Sequence, residues 1–106
     1  MSQLDEATKF IQSYLPFNGK TAIILGSGLG HICESLINKN TLPYKKIPHY
    51  PISTVEGHAG ELVSGNFGGQ NVLISNGRFH LYEGFSESDI IFPFKIFKNL
   101  GIKNVI

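Results

Sequence analysis

Cysteine is nearly absent from this chain: Cys33 is the single one among 106 residues. That excludes an intramolecular disulfide and a cysteine-based zinc site, and no close pair of histidines offers metal-ligand spacing in its place. An excess of charge of either sign is missing too. Nine basic residues against eight acidic ones leave a formal net charge of +1, which gives no electrostatic footprint for nucleic acid or a lipid surface. Long apolar runs are also lacking. None approaches the roughly 18 residues of a membrane-spanning helix, and residues 1–9, with Asp5 and Glu6, contain no apolar signal core. A reducing, cytoplasmic compartment fits these absences best.

What is present is an ordinary globular composition, with 42% hydrophobic and 16% charged residues. The length corresponds to one domain, or part of one, spanning residues 1–106. Leu4, Ala7, Phe10, Ile11, Tyr14 and Leu15 recur at helical spacing, so residues 3–15 are predicted to form an amphipathic helix capped by Ser2 and ended by Pro16 and Gly19. Residues 21–25 are apolar and partly β-branched, as in a buried strand. A second helix is expected from Gly30 to about Ile37. Between Asn38 and Gly60, Pro43, Pro48 and Pro51 interrupt any period and predict mostly extended loop. Residues 61–67 and 71–75 flank Gly68-Gly69 and predict an antiparallel hairpin. A helix should then begin at a cap on Ser86 or Ser88 and reach Leu100, with Pro93 near its start and Gly101 just after its end. Residues 102–106 read as the opening of a further strand, so the chain is expected to be interrupted there.

Three segments could carry chemistry. Gly26-Ser27-Gly28-Leu29-Gly30 follows the first strand, where glycines let backbone amides approach an anion and the Ser27 hydroxyl adds a donor. It is not a dinucleotide fingerprint, because His31 stands where the third glycine belongs, and no lysine follows as in a P-loop. A turn needing glycine for geometry alone is an equal reading. In the second segment, Ser53-Thr54-Val55-Glu56-Gly57-His58-Ala59-Gly60, His58 can donate to an anion or exchange a proton; a solvent-facing loop histidine is the plainer alternative. The third, Gly77-Arg78-Phe79-His80-Leu81-Tyr82-Glu83-Gly84, alternates Arg78, His80 and Tyr82, which share one face in extended chain. Arginine offers a charged fork for phosphate oxygens, histidine a second donor, and tyrosine a stacking face with a hydroxyl. A solvated loop with Arg78 paired to Glu83 is the competing reading. Taken together the segments favour an anion site. His49, among prolines and aromatics, is read as loop packing, and Cys33 as a small core residue.

In this order and spacing the three segments resemble the signatures of the purine nucleoside phosphorylases of the trimeric type, over the amino-terminal part of that family. The resemblance implies a nucleoside-phosphorylase-like α/β fold, here truncated, with a central mixed sheet flanked by helices. It implies that Ser27, His58, Arg78 and His80 hold phosphate with help from the backbone near Phe79, that His58, Arg78 and His80 serve catalysis, and that Tyr82 lies against the ribose. The activity implied is phosphorolysis of purine nucleosides, with a general preference for 6-oxopurines, giving free purine and ribose 1-phosphate. No metal or organic cofactor is implied; inorganic phosphate is the co-substrate. A homotrimer is implied for full-length members. Members are more than twice as long, and their purine-recognising residues have no counterpart here. The isolated chain is therefore expected to expose apolar faces and a strand edge and to be weakly active or inactive. A non-catalytic phosphate-binding fragment or a structural remnant is the alternative.

Overall fold

The computed structural model describes residues 2–15, 17–25, 30–51, 60–76 and 86–106. Its first element follows from the capping signal at the amino end. Ser2 Oγ accepts the Asp5 N–H at 3.1 Å, and Asp5 and Glu6 put negative charge at the positive end of the helix dipole. This helix, α1 (Gln3–Tyr14), turns Ala7 and Ile11 inward one turn apart. It stops at Leu15, whose N–H returns to the Ile11 carbonyl at 2.8 Å.

The described strands form one mixed sheet: β1 (Thr21–Leu25), β2 (Ile37–Pro43), β3 (Glu61–Phe67), β4 (Gln70–Asn76) and β5 (Asn104–Val105), in the order β2-β3-β4-β1-β5. β1 runs parallel to both neighbours, β4 and β5, while β2, β3 and β4 pair antiparallel. The turn between β3 and β4 is the predicted one. Gly68 and Gly69 have φ of 60° and 88°, the left-handed pair that a two-residue hairpin loop requires. Asn66 Oδ1 accepts the Gly69 N–H at 3.1 Å and holds the turn.

Strand alternation divides the core between the two faces of the sheet. Ala22, Leu42, Leu62 and Leu73 face α1 and the second helix, α2 (Glu87–Asn99), where they meet Ile11, Leu15, Ile96 and Phe97. Val63, Val72 and Ile74 face the other way and are covered by Cys33 and Leu36. Cys33 is thus the core residue the sequence suggests. Burial and then the nearby Glu61 charge push its thiol up, so it stays protonated. Both ends of α2 are fixed by local signals. Ser86 and Asp89 form a reciprocal capping box, each bond 3.1 Å. At the other end, Gly101 (φ 87°) donates to Lys98 O at 3.1 Å and Ile102 to Phe97 O at 3.0 Å, a Schellman motif. Pro93 is buried inside the helix, which continues past it.

Two expectations need correction. The helix predicted from Gly30 is a six-residue 3₁₀ segment, Gly30–Ser35, and the buried pair Cys33 and Leu36 has its three-residue spacing. The extended loop predicted after Asn38 is in its first part the edge strand β2. Its side chains are mostly exposed, Asn38 has φ 57°, and its register slips between Ile37 and Asn40. Backbone pairing to β3 holds it, so no apolar alternation announces it. The following residues are also more ordered than a loop reading suggests. Successive turns bring Tyr44, Ile47 and Tyr50, three apart, into the main core. His49, at φ 65°, packs on α1 with Nε2 3.4 Å from Glu6 Oε2, in line with a packing role. The strand expected at 102–106 is present as β5, extended by Ile106 N–H to Ala22 O at 2.9 Å. Val105 and Ile106 are exposed, as are Ile91 and Phe94 on α2. No described helix is long and apolar enough to cross a membrane.

Candidate functional site

Three strand ends meet at one border of the sheet. Leu25, the last residue of β1, is in register with Asn76, the last of β4, and Asn76 is in register with Glu61, the first of β3. This is the carboxyl edge of the parallel pair, where ligands of open α/β sheets bind. Neighbouring strands lie about 4.8 Å apart, so Leu25 and Glu61 are separated by roughly 10 Å.

Ser27, His58, Arg78, Phe79, His80 and Tyr82 lie outside the described residues. The described residues fix the points from which their segments depart. Ser27 is two residues beyond Leu25, Arg78 two beyond Asn76, and His58 two before Gly60. Two residues span at most about 7 Å. The described strands next to these three segments in the chain thus end side by side along one edge of the sheet.

The floor beneath this edge is built from residues that the motifs did not single out. The Tyr44 N–H donates to Gly60 O at 3.1 Å, continuing the β2–β3 pairing one step past Pro43 and Glu61. The Tyr44 ring then packs against Gly60, where a Cβ would overlap it, so glycine is required here for close approach. The Tyr44 hydroxyl bonds Ser75 Oγ at 2.6 Å, both groups being buried. Tyr50 tilts against Tyr44 with ring centroids 4.8 Å apart, and Phe92 of α2 meets Tyr50 edge-on at 6.5 Å. Burial holds both tyrosine hydroxyls well above their ordinary range, with the Ser75 bond partly opposing this at Tyr44. Both are neutral phenols, not acids, at physiological pH. The spacing of Tyr44, Ile47 and Tyr50 was the available sequence signal; the Ser75 contact, 31 residues away, had none. Among the described residues no group of three or more His, Cys, Asp or Glu side chains could hold a metal ion.

No family model matches the chain. Individual proteins do. Purine nucleoside phosphorylase 1 of Bacillus subtilis is 44% identical over 104 residues, which are 98% of this chain and 38% of that protein. The solved purine nucleoside phosphorylase of Schistosoma mansoni in complex with acetate superposes with a TM-score of 0.90 at 37% identity, covering 97% of this chain and 38% of that one. A purine nucleoside phosphorylase solved with ribose 1-phosphate gives 0.88 at 38% identity, covering 96% and 37%. The mixed sheet with its helices thus matches part of the nucleoside phosphorylase α/β fold. The chain is a homologue of the purine nucleoside phosphorylases, of the type found in Bacillus and in mammals, and spans between a third and two fifths of the length of these relatives.

Proposed function

We propose that this chain carries the phosphate site of a purine nucleoside phosphorylase, assembled over the carboxyl edge of β1 and β4. The observation that supports this most is the register of Leu25, Asn76 and Glu61, which starts all three motif segments from one border of the sheet. Ser27, His58, Arg78 and His80, with the backbone at Phe79, bind inorganic phosphate. Arg78 anchors it through its planar fork, and Tyr82 packs on the ribose. A phosphate oxygen attacks the anomeric carbon as the glycosidic C–N bond breaks. Its electron pair leaves with the purine, and ribose 1-phosphate remains. Phosphate is already a nucleophile, so the chain's contribution is to position it and to balance charge moving across the sugar. His58, Arg78 and His80 supply that balance. The reaction needs no metal or organic cofactor. The setting is cytoplasmic, and a homotrimer is the assembly expected of full-length members of the family.

A charged hydrogen bond contributes about 1.5–3 kcal/mol, so Arg78→Ala is expected to weaken phosphate use by about 10- to 100-fold or more, far more than nucleoside binding. The coverage of 38% of the Bacillus relative favours a second reading, a phosphate-binding portion without turnover of its own. Hypoxanthine release from inosine, with and without phosphate, separates the two. Release that needs both phosphate and Arg78 supports the enzyme, and phosphate binding without release supports the portion. Release independent of phosphate contradicts both.

A further inference from the structure

Tyr44 touches both strand ends from which the histidine and arginine segments depart. Its backbone N–H and its ring hold Gly60, two residues after His58. Its hydroxyl holds Ser75, three residues before Arg78, through a 2.6 Å bond. The ring is 2% exposed and is braced from behind by Tyr50, itself 4% exposed. A rigid ring with one short, buried hydrogen bond at its tip fixes the separation of the two backbone points it joins far better than strand pairing alone. The pairing of Glu61 with Asn76 sets the register of the two ends, and Tyr44 adds a side-chain link between Gly60 and Ser75 beside it. We propose that Tyr44, acting through Ser75, is a positioning residue that fixes Gly60 and Ser75 relative to one another, the described points nearest His58 and Arg78 in the chain, and so tunes phosphate affinity without touching phosphate.

This rests on the phosphate-site reading above, and the experiment distinguishes failure of either. Inorganic phosphate is titrated into the full chain by calorimetry well below the melting temperature. The wild type is compared with Tyr44→Phe, Ser75→Ala and Ser75→Thr, and the Tm of each is recorded. Tyr44→Phe keeps the ring and removes only the hydroxyl, so the expected result is a phosphate Kd raised about three- to tenfold. Ser75→Ala should do the same, the double variant no more than either single change, and Ser75→Thr, which keeps a hydroxyl, should recover most of the affinity. A wild-type chain that takes up no phosphate overturns the phosphate-site reading itself. Phosphate bound by wild type with unchanged Kd in both Tyr44→Phe and Ser75→Ala overturns the positioning role, even if their Tm falls, because a merely structural bond would lower Tm and leave affinity alone. Additive losses in the double variant would likewise show that the two hydroxyls do not act as one device.

Discussion

At one end of the sheet, β3 and β4 are joined by Gly68 and Gly69 with open space around both glycines and a single side-chain bond from Asn66. At the other end, the same two strands rest on Tyr44, bonded to Ser75 of β4 and backed by Tyr50, packed so closely that Gly60 has no room for a methyl group. The hairpin end solves a backbone problem, and two residues tolerating positive φ suffice. The carboxyl edge solves a packing problem, with residues from β2's end, β4 and the turns after Pro43 brought together. The contrast teaches that this fold spends its precise packing where the motif segments leave the sheet and treats the far end as simple closure.

Substitutions at matched positions test that contrast. The largest effect is expected from truncating aromatics. Tyr44→Ala should cost about 3–5 kcal/mol in urea denaturation, whereas Phe67→Ala beside the hairpin, 41% exposed, should cost less than about 1 kcal/mol. Similar values would erase the difference between the ends. Adding atoms to glycine comes next. Gly60→Ala must displace the buried Tyr44 ring and should cost about 1–3 kcal/mol. Gly68→Asn, which places a left-handed-tolerant residue at φ 60° in open space, should change stability by less than about 0.5 kcal/mol.

The smallest effect is with pH. In the unfolded chain tyrosines lose their protons near about pH 10, while folded Tyr44 and Tyr50 hold theirs to higher pH because burial disfavours the charged form. Above that pH the folded state binds more protons than the unfolded one. Their contribution is therefore fully present at neutral pH and lost as pH rises beyond about 10. Urea midpoints measured between pH 7 and 11 should be level and then fall, and a smaller fall is expected in Tyr44→Phe.

The same contrast explains what could be read from the sequence. α1, β1, the hairpin and α2 carry their signals locally: a serine cap, a glycine pair, a capping box, a glycine after the helix. They were legible because each depends on neighbours within a few residues. β2 was not, because Asn38, Lys39 and Asn40 expose their side chains and only the β3 backbone makes the segment a strand. For the site, the glycine, histidine and arginine motifs stood out by residue type. Tyr44 and Ser75 did not, since their contact joins residues far apart in the chain and neither side chain signals chemistry by itself. Convergence of the three segments is an expectation; the register of Leu25, Asn76 and Glu61 fixes only where the described strands end beside them in the chain.

The most direct test of the phosphate site is thermal melting of the chain in inorganic phosphate against chloride at equal ionic strength, for wild type and Arg78→Ala. Phosphate at about ten times its Kd stabilises the folded state by about 1.4 kcal/mol, which should raise the wild-type Tm by roughly 5–10 °C. Arg78→Ala should lose most of that rise. An equal Tm in phosphate and chloride for wild type, or a rise that persists undiminished without Arg78, would contradict a phosphate site at the carboxyl edge.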